Sequence, residues 1–239
     1  MTATSVPDKP EFSEHAAALL GSEHWSILAT RSMWWNDAST RTSLFLNVLS
    51  ASVVARALVA DATGFDESFN AFALVLFPIV LFLGVTTYVR LVQINSDDPP
   101  AMAAMNRIRH AYLEMAPELE RYLTASQYDD VPGILTTYTL GRPRMLRPWQ
   151  QFAITVPTVV ATIDAIIAAS GVALFAMRYD LPVPAVAGSA GAMLVVVWLA
   201  LFALHFRMFR QFREEDSRFP TPSGARHIAG EETWVRRQR

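Results

Sequence analysis

Ala71-Phe-Ala-Leu-Val-Leu-Phe-Pro-Ile-Val-Leu-Phe-Leu-Gly-Val-Thr-Thr-Tyr-Val-Arg-Leu-Val-Gln-Ile94 holds a single charged side chain, Arg90, in 24 residues. A helix needs ~20 mostly apolar residues to cross the hydrocarbon core of a bilayer, so this stretch predicts a span. Working outward, three more segments meet the same rule: Leu44–Ala62, Phe152–Met177 and Pro184–Phe206. The composition agrees. Of 239 residues 52% are hydrophobic and 18% charged, with a mean hydropathy of +0.24. A soluble domain carries roughly 25% charged residues. The expected fold is all-α, a polytopic membrane protein with four transmembrane helices. There is no cysteine, so disulfides, thiolate chemistry and Cys-ligated zinc are excluded.

Orientation follows from where Lys and Arg fall beside the spans. Residues 1–43 hold three, residues 90–150 seven and residues 207–239 eight, all on one side of an even-numbered threading. The loops on the other side, 63–70 and 178–183, hold only Arg178. Both termini are therefore expected in the cytoplasm, in the plasma membrane. Met1–Glu14 is polar and no cleavable leader is expected, so the first span should act as an uncleaved anchor. Trp34, Trp35 and Trp149 stand just before spans, where indole rings anchor at headgroup depth. Arg207, Arg210 and Arg213 alternate with phenylalanines after the fourth span and suit the anionic inner leaflet.

Five regions result: a cytoplasmic or interfacial segment 1–43, a transmembrane hairpin 44–94, a cytoplasmic helical loop 95–151, a second hairpin 152–206 and a tail 207–239. Glu11–Thr40 is expected to be an interfacial helix with Trp25, Leu28 and Trp35 near one face; packing on the loop is the alternative. In the loop, Asp97-Asp98-Pro99-Pro100 has the form of a helix start with proline in the first turn. Met102, Met105, Ile108, Tyr112 and Met115 then form a stripe at helical spacing, expected to be the buried side of a helical hairpin, with a partner groove as the alternative. A short helix is expected over Pro117–Thr124, and turns from Gln127 to Pro148, where Asp129-Asp130 serves as a loop turn. Beyond Ser217 the Pro-Thr-Pro-Ser-Gly run predicts disorder.

Two blocks carry a resemblance. Glu23-His-Trp-Ser-Ile-Leu-Ala-Thr-Arg-Ser-Met-Trp-Trp-Asn36 and Met105-Asn-Arg-Ile-Arg-His-Ala-Tyr-Leu-Glu-Met-Ala-Pro-Glu-Leu-Glu-Arg-Tyr122 resemble stretches of uncharacterised four-helix integral membrane proteins of high-GC actinobacteria. The likeness spans about residues 20–140 and extends less closely to the second hairpin. Nineteen of the twenty basic residues being Arg fits such a genome. With no activity assigned to that group, the resemblance implies a membrane location and no residue roles.

Catalytic motifs are missing. The chain has no phosphate loop, no nucleophile elbow and no His-Glu-x-x-His pair. Glu11, Glu14 and His15 share a helix face, but a solvated polar face explains them better than a metal site. The basic residues follow the membrane surface, so no nucleic-acid partner is expected. Neither a cofactor nor a metal is expected. Intramembrane charge is the exception, because ionisable residues inside spans are rare and normally find a partner. Arg56 is 15 residues after Arg41 and Asp164 is 15 after Trp149, which puts each ~22 Å along its helix. An Arg56–Asp164 ion pair joining the hairpins is the resulting expectation. The competing one has Arg56 snorkelling outward while Asp164 is protonated or bonded to a hydroxyl. Nearly all the polar sequence falls on the cytoplasmic side. The functional expectation is a non-enzymatic scaffold or regulatory subunit in the bilayer, with a cytoplasmic protein partner or a homo-oligomer. The alternative is a small oligomeric channel or transporter using Arg56 and Asp164.

Overall fold

The computed structural model describes residues 15–64, 67–141, 155–209 and 217–222. In chain order they form α1 (Ala16–Thr63), α2 (Glu67–Met115), a 3-10 helix (Pro117–Tyr122), α3 (Val131–Thr139), α4 (Val156–Arg178) and α5 (Val183–Phe209). No strand occurs among the described residues. Helices α1, α2, α4 and α5 are long and apolar enough to cross a membrane. The chain divides into two compact units. A span unit comprises Met33–Asp98 and Met145–Arg213, and a loop unit comprises Met1–Ser32, Pro99–Arg144 and Glu214–Arg239.

The span unit is organised around Phe45, Val80, Tyr88, Val92, Ile94, Val160 and Leu201, all nearly inaccessible. Outside this core most apolar side chains face outward: Val53, Leu58, Leu74, Val75, Phe82 and Val196 are each at least 59% exposed. Only 11% of the most apolar stretch of α1, and 11% of that of α5, is buried inside the protein. Such a surface suits hydrocarbon and not water, where large contiguous apolar patches drive association. Tyr88 supplies the polar contact in this core, its hydroxyl donating to the Leu201 carbonyl at 2.7 Å. Tyr88→Phe should lower the unfolding temperature in detergent by the equivalent of ~1 kcal/mol, the net value of one such bond. An unchanged temperature would mean that the Leu201 carbonyl finds another donor.

Three expectations about element boundaries are corrected. The N-terminal helix is not a separate element; α1 runs unbroken from Ala16 through the expected first span to Thr63. Nor do Asp97-Asp98-Pro99-Pro100 start a helix, because α2 continues through them to Met115. Each proline removes one helical hydrogen bond, at ~3 kcal/mol or more in a helix interior. Burial on both sides offsets this. Val92 and Ile94 before the pair and Met102, Met105 and Ile108 after it are all buried, at ~1.5–3 kcal/mol for each large apolar side chain. The Met stripe is thus buried over its first three members, as expected. Finally, the stretch read as turns contains α3. Asp130 is its N-cap, accepting from the Gly133 N–H at 3.0 Å, with Pro132 in the first turn. The helix-start signature belonged to Asp129-Asp130-Val131-Pro132. The short element after Pro117 is a 3-10 helix ending at Tyr122.

Candidate functional site

In the span unit Asp164 projects from α4 and is fully buried, and neither carboxyl oxygen has a hydrogen-bond partner among the described residues. It is pressed against Gly84 of α2, and Phe45 of α1 flanks the same glycine. A methyl group on Gly84 would overlap Asp164 Oδ1 and stand 2.9 Å from Phe45 Cε2. Only glycine permits this approach, because any Cβ would occupy the carboxylate's place. Arg56 lies elsewhere. Its guanidinium sits over Phe77, 4.4 Å from the ring centroid, and 5.6 Å from that of Phe69, in cation–π contact. Its Nε has no hydrogen-bond partner among the described residues.

The expected Arg56–Asp164 pair is therefore not formed. The α1 residue beside Gly84, on which Asp164 rests, is Phe45, and Arg56 is 11 residues further on (56 − 45), ~16 Å along the helix. On α4 the glycine facing Phe77, the ring beneath Arg56, is Gly171, seven residues beyond Asp164, or ~10 Å. The two charges sit at different depths. The count for Asp164 was taken from Trp149, which lies outside the described residues, whereas α4 begins at Val156, eight residues before Asp164.

The interfacial residues fare variously. Trp34 is half-buried against the span core, whereas Trp35 is exposed. Arg207 lies in the last turn of α5. Trp149, Arg210, Arg213, Glu11 and Glu14 lie outside the described residues. The face of α1 carrying Trp25, Leu28 and Trp35 turns outward, while Ile27 and Trp34 are half-buried. Sequence reasoning missed Asp37, which accepts from Arg41 Nε and Arg90 Nε, each at 2.8 Å. Its four-residue spacing to Arg41 was the available signal.

The densest polar chemistry is in the loop unit. Asn106 is fully buried; its amide donates to the Tyr128 carbonyl at 2.6 Å, and its oxygen accepts from Arg109 at 2.6 Å and Thr137 at 3.0 Å. Burial, and then the neighbouring charge of Arg31, lower the Arg109 pKa. Asp129 accepts from Arg107 Nε at 2.6 Å, the Ser217 hydroxyl at 2.9 Å, and the N–H groups of Arg218 at 2.9 Å and Phe219 at 2.8 Å. Burial alone would push its carboxyl up, but these bonds outweigh it and hold the pKa at about 2. Asp130, besides capping α3, accepts from the Thr221 N–H at 2.9 Å and hydroxyl at 2.7 Å. The Phe219 ring stacks on His110 with centroids 4.0 Å apart. Beside it His110, Leu113, Glu114, Pro117, Glu120 and Gln127 line an open cleft of about 190 Å³. Residues 217–222, expected to be disordered, are thus held in place by two carboxylates. Neither the pairing of Asp129 with residues some ninety positions away nor the role of Asn106 leaves a local trace in the sequence.

The fold and these two centres define an all-helical protein with four helices compatible with membrane spans. No family model, curated protein or solved structure matches the chain. Among the described residues, no group of three or more His, Asp or Glu side chains is placed to hold a metal ion.

Proposed function

We propose that the protein is a non-enzymatic scaffold or regulatory subunit of the cell membrane, with both termini in the cytoplasm and a loop unit that receives a protein partner. The observation that carries this reading is that the polar sequence is built into a folded unit. It has its own buried residues in Met102, Met105, Asn106, Ile108 and Ile134, and a network of charge-assisted hydrogen bonds. A loop that merely joined two spans would need neither. The resemblance to actinobacterial membrane proteins supports the location. The channel or transporter reading draws less support, since Asp164 is fully buried against Gly84 rather than on an open path and lies at a different depth from Arg56.

Reporter fusions after residues 66, 120, 180 and 230 should read outside, inside, outside and inside; a cytoplasmic signal at 66 or 180 would overturn the threading. Protein crosslinked from the loop unit in its own membrane, extracted in mild detergent and weighed, should carry a second protein of defined mass. A bare chain, together with solute flux in reconstituted vesicles, would replace the scaffold with the transport reading.

A further inference from the structure

The segment Ser217-Arg-Phe-Pro-Thr-Pro222 has no helical structure, yet every N–H from Arg218 to Pro222 is used. Those of Arg218 and Phe219 reach Asp129 and that of Thr221 reaches Asp130, while residues 220 and 222 are prolines and have none. The Asp129 N–H returns a bond to the Phe219 carbonyl at 3.2 Å. Side chains are read as well: the hydroxyls of Ser217 and Thr221 enter the two carboxylates, and the Phe219 ring lies on His110.

The receiving side is held by groups outside the segment. Arg107 fixes Asp129 from α2, and the Gly133 N–H fixes Asp130 from the first turn of α3. Gly133 is itself required there, because a Cβ would overlap the Tyr128 carbonyl oxygen. The clasp is therefore set independently of what it holds, as a binding site is. Among the described residues the held segment has little else to secure it. Arg218, Pro220 and Pro222 are exposed and only Thr221 is buried. Segments with few buried apolar contacts open at low free-energy cost.

We propose that the Asp129–Asp130 clasp is a docking site for an extended peptide segment presenting a hydroxyl, any residue, an aromatic ring, proline and a second hydroxyl in that order, and that the chain's own residues 217–222 occupy it as a built-in competitor. The partner is a protein displaying such a segment. This rests on the scaffold reading and names its surface, and releasing the strap is the step that admits the partner.

The test uses the full chain in lipid nanodiscs and a fluorescent peptide of sequence Ser-Arg-Phe-Pro-Thr-Pro. Phe219→Ala combined with Thr221→Ala in the chain leaves the clasp intact and weakens its competitor. Peptide affinity should then rise about tenfold over wild type, the factor for a site otherwise free a tenth of the time. Adding Asp129→Asn should abolish that binding. No binding to a folded strap variant, or binding indifferent to Asp129→Asn, would overturn the proposal. Strap variants that dimerise through exchanged segments would overturn the partner assignment in favour of a second copy. Should the strap variant fail to fold, hydrogen exchange in the wild type decides. The amides of Arg218, Phe219 and Thr221 should exchange by local opening, far faster than those of Met105 and Asn106; exchange only with global unfolding would make the segment a permanent part of the fold. Peptide binding without any crosslinked partner would fault the scaffold reading and leave the clasp standing.

Discussion

Gly84→Ala should be among the most damaging single-methyl changes in this protein. The new Cβ would overlap Asp164 Oδ1, lie 2.6 Å from its Cγ and 2.9 Å from Phe45 Cε2, in a part of the core where all three residues are buried. Overpacking typically costs 1–3 kcal/mol and occasionally more. Because the overlap is with a short, fully buried side chain that cannot swing aside, we expect about 3 kcal/mol or more, seen as a large fall in unfolding temperature in detergent. Asp164→Ala removes the obstacle and a buried carboxyl without a partner, so alone it should cost little. Combined with Gly84→Ala it should recover most of the loss, a strong favourable coupling of the kind expected for residues in contact. Simple additivity of the two changes would show that α2 and α4 do not meet at these residues.

Asp129→Ala should have the largest effect in the loop unit. It strips the acceptor from Arg107, Ser217 and the amides of Arg218 and Phe219 at once. Breaking a buried ion pair by deleting one partner costs ~3–5 kcal/mol; Arg107 is part exposed, so ~3 kcal/mol is the better expectation here. Tryptic cleavage after Arg218 should accelerate accordingly. The same group sets an acid limit. Its folded pKa, about 2, lies below the ordinary 3.8, so its contribution is fully present above pH 3.8 and is lost as pH falls through about 2. Cleavage by an acid-tolerant protease within 217–222 should therefore rise over that window in the wild type and stay high throughout in Asp129→Ala. A wild-type rate flat from pH 4 to 2 would remove Asp129 from the account.

Which helices are long and apolar enough to cross a bilayer was legible from residue type alone. Apolar length is a local property, and a span such as Ala71–Ile94 needs no knowledge of its neighbours. The burial of Met102, Met105 and Ile108 was legible for a related reason, since helical periodicity is written in the chain. Where helices begin and end was less so. Two Asp-Asp segments, each with proline one or two residues later, offered themselves as helix starts, and packing decided between them. Burial around Val92, Ile94 and Met105 carries α2 through Pro99 and Pro100, while Asp130 caps a real first turn. Depth along a helix cannot be read at all without knowing where that helix starts, which is why Arg56 and Asp164 were matched by count and stand turns apart. Partners distant in sequence were decided only by the tertiary structure: Asp164 on Gly84, Asn106 on Thr137, Asp129 on Arg218 and Phe219. A carboxylate, an amide or a glycine is the same residue wherever it lies in the sequence. What it does is set by what the fold places within 3 Å of it.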